Sequence, residues 1–142
     1  MPKNMVTRRV NDVLILRETK ETPSDAEWDY CLELLVQDPQ RLDQVKVLVV
    51  TDGGGPTPDQ RKRLKQTLDG ARIPIAVVTD SMRVRFIVSS VALLTSRIQS
   101  FAPNQMADAY THLELSASTE RLVQQALAEM WEELQTPVQP RA

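Results

Sequence analysis

Short apolar runs that alternate with helical segments dominate the chain. The runs VTRRV and VLILRE flank Asn11-Asp12, a pair suited to a tight turn, and so predict an opening β-hairpin. Residues 45–50 (VKVLVV) and 73–78 (IPIAVV) hold few polar side chains. Such runs are typical of strands buried on both faces of a parallel sheet. RIQSF, near residue 100, predicts a short last strand.

Helical periodicity separates these strands. Ser24 with Glu27 three residues later is a capping box, and the apolar residues that follow it lie on one helical face. These residues are Trp28, Cys31, Leu32 and Leu35. DQRKRLKQTLDG is a mostly polar helix, whereas MRVRFIVSSVALL, capped by Ser81, is apolar almost all round. A helix of the latter kind is expected to be largely buried.

Two further helices close the pattern. The first carries Met106, Ala109, Tyr110 and Leu113 at helical spacing. The last is predicted to begin near Ser116 or Ser118. Its apolar side comprises Leu122, Val123, Ala126, Leu127, Met130, Trp131 and Leu134. The order ββαβαβαβαα predicts a single layered α/β domain over residues 1–135, with a mixed sheet and a tail at 136–142.

Composition narrows the class of protein. The 142 residues are 42% hydrophobic, and 17 Lys and Arg face 19 Asp and Glu, for a net charge of −2. This balance lacks the basic excess of nucleic-acid binding proteins. No apolar run approaches the ~20 residues that span a bilayer, and the opening MPKNMVTRRV lacks the apolar core of a secretory signal. We therefore expect a cytoplasmic protein that neither binds nucleic acid nor inserts into a membrane.

The stretch VLVVTDGGGPTPDQ raises the question of a phosphate-binding loop. No Lys follows the glycines at P-loop spacing, and Asp52 and Asp59 would repel a phosphate. Thr57 is a good N-cap, Pro58 suits the first helical position, and Gln60 completes a capping box. The pattern therefore predicts a sharp turn whose amide hydrogens are already occupied.

Three segments carry a family resemblance. They are NDVLILRETKETPSDAEWDYCLELL, VKVLVVTDGGGPTPDQRKRL and RIQSFAPNQMADAYTHLEL. With the hairpin and the βα units, they resemble the anti-sigma-factor antagonist (STAS) domain and its SpoIIAA-like branch, whose fold is similar to that of lipid-binding CRAL-TRIO domains. The resemblance implies a small cytoplasmic regulatory or binding module without catalytic activity. Thr57 lies near the place of the STAS phosphorylated serine, although Asp-Ser-Ser-Gly is absent, and is the candidate phosphosite.

Other side chains offer alternative chemistry. Asp52 and Asp80 each end a VVTD strand, where they could hold a magnesium ion or cap turns. His112, the only histidine, is expected to be exposed and has no assignable Ser or Cys partner. Cys31 lies on an apolar face and is expected to behave as a small hydrophobe. Arg83, three residues after Asp80, is expected either to form a local ion pair or to contact a partner.

Three hypotheses of function follow. The first is a non-enzymatic regulatory module that docks to another protein and needs no cofactor or metal. Its predicted contact residues are Asp52, Gly54, Thr57, Arg61, Asp80, Ser81 and Arg83. The second is a carrier or sensor of a small apolar ligand held between helices Met82–Leu94 and Met106–Leu113. The third is a divalent-metal enzyme that uses Asp52 and Asp80. The apolar helix Met82–Leu94 is also a candidate interface between copies of the chain.

Overall fold

A five-stranded mixed sheet forms the centre of the molecule. The computed structural model describes residues 3–92 and 97–135. The strands are β1 (Met5–Val10), β2 (Val13–Glu18), β3 (Lys46–Thr51), β4 (Ile75–Val78) and β5 (Ile98–Phe101). They lie in the sheet in the order β1-β2-β3-β4-β5, with β1 antiparallel to β2 and every other pair parallel. Each strand thus pairs with its neighbour in the sequence.

Five α-helices surround the sheet. They are α1 (Asp25–Leu35), α2 (Pro58–Leu68), α3 (Met82–Ala92), α4 (Met106–His112) and α5 (Ala117–Gln135). Short 3-10 helices at Pro39–Gln44 and Pro103–Gln105 complete the connections. Within the described residues, no helix combines the length and the apolar character needed to cross a membrane.

The two faces of the sheet have separate apolar cores. On one face, α4 and α5 pack against Val13 and Ile15 of β2 and Leu48 of β3. On the other face, α1 packs against Leu14 and Leu16, with the apolar stripe of α2 at the edge of the cluster. The alternation of side chains along β2 divides this strand between both cores. The predicted α/β class, mixed sheet and element order are therefore confirmed.

Two expectations about burial are wrong. Helix α3 is not largely buried, because Met82 and Phe86 are 76% and 75% exposed while Val88 packs inward. This helix contacts β5, the outermost parallel strand, so the sheet covers one side of it only. On α5, Leu122 and Trp131 are also exposed despite their place on the apolar side. Residues 93 and 94 of the expected helix and the tail 136–142 lie outside the described residues.

Gln60 joins the starts of α1 and α2. Its side chain is fully buried, and its Oε1 accepts from the Thr57 N–H at 3.0 Å. Its Nε2 donates to the Pro23 carbonyl and to Asp25 Oδ1, both at 3.0 Å. Its own carbonyl accepts from the Trp28 indole at 2.9 Å. Both predicted capping boxes, at Ser24 and at Thr57, form, and the one at Thr57 is part of this network.

Replacing Gln60 with Glu tests this junction. The variant loses both Nε2 donors and places a carboxylate against the Pro23 carbonyl and Asp25. Because these groups are buried, we expect Gln60→Glu to lower the free energy of unfolding by about 3 kcal/mol or more. Gln66→Glu makes the same chemical change at an exposed position of α2 and should stay within about 0.5 kcal/mol of wild type. Urea unfolding measures both, and equal stabilities would contradict the role of Gln60.

Candidate functional site

The carboxyl ends of β2 and β3 and the loops that leave them are joined by backbone hydrogen bonds. The Asp52 N–H donates to the Glu18 carbonyl at 3.1 Å, and the Gly54 N–H donates to the Thr19 carbonyl at 2.8 Å. Ligands of open α/β sheets bind at this edge, so it is the first place to look for a functional site. We call it the carboxyl edge.

The glycine loop uses its amides internally. The Gly53 N–H donates to Thr51 Oγ1 at 3.1 Å, and the Gly54 N–H is held by Thr19. The Thr57 N–H donates to Gln60 Oε1 at 3.0 Å, while the Gln60 N–H donates to Thr57 Oγ1 at 3.1 Å. These four amides are among the groups that a phosphate at this turn could use. The prediction that the amides are occupied is therefore confirmed at these positions.

Gly54 is the glycine that this loop requires. It is buried, and a Cβ built on it would lie 2.6 Å from the Thr19 carbonyl oxygen and closer still to that of Glu21. Gly53 has a φ of 132°, which also favours glycine. A Cβ on Gly55, by contrast, would meet nothing within 4 Å. Gly54 thus shapes the loop from inside and is not part of its outer surface.

A buried arginine ties the strand ends together on the α5 side of the sheet. Arg17 Nη2 pairs with Asp52 Oδ1 at 3.1 Å, and its Nη1 donates to the carbonyls of Glu18 and Val50. The guanidinium lies 4.4 Å from the centroid of the Trp131 ring. Trp131 is itself 41% exposed. The arginine is therefore held by an ion pair, backbone carbonyls and a cation–π contact, and the outer part of the indole is left at the surface.

Glu18 lies on the opposite face, beneath α1. Its side chain is fully buried, and its Oε1 has no hydrogen-bond partner among the described residues. Burial raises the pKa of Glu18 to about 8, with Arg17 lowering it and the nearby Glu27 raising it. Glu27 accepts hydrogen bonds from the backbone amides of Asn4, Met5 and Ser24. Glu18 is therefore a neutral acid at pH 7, next to a carboxylate that is well solvated by backbone amides.

The remaining predicted contact residues lie at or near the surface. Ser81 Oγ accepts from the Val84 N–H at 3.3 Å and caps α3, as expected. Asp80, Arg83 and Arg61 are exposed. Within residues 3–92 and 97–135, no ion pair joins Asp80 to Arg83.

Metal binding gains no geometric support at this edge. Asp52 is engaged by Arg17, and the described part of the chain has no cluster of three or more acidic, His or Cys side chains arranged for a metal ion. The pair Asp52 and Asp80 therefore stays a hypothesis without a third ligand.

His112 and Cys31 have structural surroundings. His112 is half-buried rather than exposed: its Nε2 lies 3.0 Å from the Arg97 carbonyl and its ring centroid 5.7 Å from that of Phe101. Burial raises the pKa of Cys31 to about 12, with Glu18 adding to the rise. A thiol with that pKa stays protonated at neutral pH and is a poor nucleophile.

Two open grooves mark the described surface. The larger, of about 720 Å³, runs along β1 between α1 and α5 and includes Thr7, Tyr30 and Glu133. The smaller, of about 370 Å³, lies between α1 and α2 and includes Leu32 and Arg63. Arg63 also pairs with Asp29 beside it. Neither groove is lined by α3 or α4, the helices expected to wall an apolar ligand.

Exposed apolar side chains form the feature that the sequence did not predict. Met82 and Phe86 lie one helical turn apart at the start of α3, directly after the carboxyl end of β4. Trp131 stands over Arg17 at the same edge of the sheet. Apolar periodicity on α3 and α5 marked these residues as core, and it did not show which of them the sheet would leave uncovered.

Comparison with known proteins adds no relative: neither a protein-family model nor a curated protein nor a solved structure matches this chain.

Alanine substitution in the glycine loop tests its geometry. Gly54→Ala puts a methyl group into the backbone of residues 19 and 21, so we expect a loss of about 3 kcal/mol or more in unfolding free energy. Gly55→Ala has open space and should change stability by less than about 1 kcal/mol. Thermal and urea unfolding compare the two variants. A tolerated Gly54→Ala would mean that the loop does not pack against residues 19–21 as described.

The pH dependence of stability tests the buried acid. Because the folded pKa of Glu18 is about 8 against a usual 4.5, the folded state holds a proton that the unfolded state releases. Its contribution is full below about pH 4.5 and is lost as the pH rises through about 8, at up to about 1.4 kcal/mol per pH unit. Glu18→Gln is neutral throughout, so its stability should gain on wild type over this range.

Urea unfolding at several pH values between about 5 and 8 makes that comparison. Glu33→Gln, at an exposed position of α1, is the matched control and should follow wild type at every pH. A stability difference between Glu18→Gln and wild type that does not change with pH would show that Glu18 is charged in the folded protein.

Proposed function

We propose that this chain is a non-enzymatic regulatory module of STAS-like type that docks to another protein through the carboxyl edge. The observation that carries the proposal is the exposure of Met82 and Phe86. Two large apolar side chains, three-quarters exposed and one helical turn apart, are costly to leave in water. Side chains of this kind anchor protein–protein interfaces.

The surroundings of these two residues suit an interface. Two exposed polar residues are close to Met82 in the chain: Asp80 lies just before α3, and Arg83 lies in its first turn. An apolar centre with a polar rim is the usual composition of a docking surface. A Cβ on Gly53 would lie 3.9 Å from the Ser81 side chain, so the glycine loop adjoins this surface.

The strand order favours docking over small-molecule catalysis. In open α/β sheets, substrates bind in a crevice at the point where the strand order reverses. From β2 to β5 the order runs in one direction, and α1 and α2 pack on the same face. Four amides of the glycine loop and the start of α2 already donate hydrogen bonds within the chain. The buried thiol of Cys31 is protonated at neutral pH. These features support a surface that binds and does not react.

The sequence resemblance supplies the regulatory part of the proposal and the cytoplasmic setting. Thr57 borders the proposed surface as the N-cap of α2, with its hydroxyl accepting from the Gln60 N–H. Phosphorylation there would replace a capping hydroxyl with a dianion, so Thr57 remains the candidate phosphosite.

Photo-crosslinking in the native cell tests the surface. A photoreactive phenylalanine analogue in place of Phe86 should give a discrete adduct with one partner protein. The same analogue at Leu122, an exposed apolar position on α5, should not. With the partner identified, the double variant Met82→Ser, Phe86→Ser should weaken its binding at least about tenfold, since exposed anchors of this size carry much of the binding energy.

Leu122→Ser is the matched control and should bind as wild type. Both variants should stay folded, and urea unfolding of each checks that a loss of binding is not a loss of the fold. Adducts that are equal at the two positions, or none at Phe86, would contradict the proposed surface.

A further inference from the structure

Strand β1 leaves one edge of the sheet open. Among the described residues it pairs with β2 on one side only, and the groove of about 720 Å³ runs along its other side between α1 and α5. Open strand edges are where sheets recruit another strand. This edge lies across the sheet from β5 and α3, so it is separate from the surface proposed for the docking partner.

Backbone parity shows which groups face outward. The Thr19 N–H donates to the Asn4 carbonyl at 3.0 Å, and Val10 pairs with Val13 across the two-residue turn. In an antiparallel pair, hydrogen-bonded residues alternate along the strand. The even-numbered residues of β1 therefore bond to β2, and Met5, Thr7 and Arg9 direct their backbone groups into the groove.

One of these outward groups is already used. The Met5 N–H donates to Glu27 Oε2 at 3.1 Å. In the described part of the chain, the outward N–H groups of Thr7 and Arg9 donate no hydrogen bond. A strand that adds here thus finds donors at residues 7 and 9 and acceptors at residues 5, 7 and 9, centred on Thr7.

We propose that β1 pairs antiparallel with β1 of a second copy of this chain, about a two-fold axis at Thr7. Thr7 then faces Thr7 and makes two backbone bonds. Each Arg9 faces Met5 of the other copy, where the Arg9 N–H reaches the Met5 carbonyl. The one group that Glu27 blocks, the Met5 N–H, is not needed for these four bonds. The two sheets join into one of ten strands.

Charge complementarity favours a second copy as the occupant. In this register Arg9 stands beside Glu27 of the other copy, because that carboxylate sits on the Met5 N–H. Two nitrogens of Arg9 donate within the chain, Nη1 to the Leu34 carbonyl and Nε to the Asn11 carbonyl, and Nη2 is left to face the carboxylate. Arg8 falls opposite Val6, so no arginine stands opposite another. The contact is self-complementary, as a two-fold interface must be.

The chain's own tail is a poorer occupant. Residues 136–142 read TPVQPRA, and Pro137 and Pro140 fall on alternate positions of an extended segment. In an extended segment either the odd-numbered or the even-numbered residues would face β1. Each set contains one proline, so either way one backbone N–H donor would be missing.

Sedimentation velocity of the full chain over a range of concentrations tests the proposal. Wild type should show a monomer–dimer equilibrium. Thr7→Pro removes an outward amide that β2 does not use, and should raise the dimer dissociation constant at least about tenfold. Thr7→Val keeps the amide and replaces the hydroxyl, which hydrogen-bonds with Cys31 inside the chain, with a methyl group, so it should dimerise as wild type.

Amide hydrogen exchange of wild type covers the case in which Thr7→Pro does not fold. The amides of Thr7 and Arg9 should exchange more slowly as the concentration rises, while that of an exposed residue such as Gln66 is unchanged. A monomer at all concentrations, dimers of unchanged affinity in Thr7→Pro, or exchange at Thr7 that ignores concentration would each overturn the proposal. Protection of Thr7 that appears only when an unrelated extended peptide is added would do so as well.

Discussion

The buried amide of Gln60 is the interaction on which the arrangement around the sheet depends. A primary amide can donate twice and accept through its oxygen, and this one does so to three different partners. These contacts hold the start of α2 against the entry into α1. Because an unmade bond here would leave buried polar groups without partners, the two helices are held in one relative position. The relative position of the two helices also fixes the end of the glycine loop, because Thr57 is hydrogen-bonded to Gln60.

Strand β2 ends in two ionisable residues, Arg17 and Glu18, whose side chains lie on opposite faces of the sheet. Arg17 and Glu18 are adjacent in the chain, so their side chains point in opposite directions. Arg17 reaches the half-exposed carboxylate of Asp52 and the indole of Trp131. Glu18 enters the apolar core beneath α1, where no described cation or donor meets its Oε1, and holds its proton. Two adjacent ionisable residues thus have different roles because the pleat of the strand points them to opposite faces. Arg17 joins the strand ends at the carboxyl edge, and Glu18 is a neutral acid in the core.

Local features of the sequence predicted the fold better than they predicted the site. The capping boxes at Ser24 and Thr57 could be predicted because the residues that form each one lie within four positions of each other. The element order and the mixed sheet could also be predicted, because strands and helices alternate along the chain. The exposure of Met82 and Phe86 could not be predicted, because a helix that is apolar all round carries no mark of the side that will face the sheet. That side was decided by the position of β5 at the edge of the described sheet, which depends on how several segments pack together.

The pair Arg17 and Trp131 shows the same limit at longer range. The sequence pattern placed Arg17 at the polar end of a strand and Trp131 on the apolar side of a helix, but it did not predict that they are in contact. More than a hundred positions separate them, and periodicity describes only the segment in which it is counted. The burial of Glu18 was equally hidden, because a charged residue at a strand end is usually taken as the point where the strand leaves the core.

The sequential strand order has a consequence for how the protein is made. Each strand pairs with the one before it, so the sheet can extend in the order of synthesis. The face of the first hairpin that carries Val6, Val13 and Ile15 is different, because it is covered by α5, the last helix of the described chain. During synthesis this apolar face would therefore be exposed to solvent until residues 117–135 emerge, so we expect the core on this side of the sheet to form late.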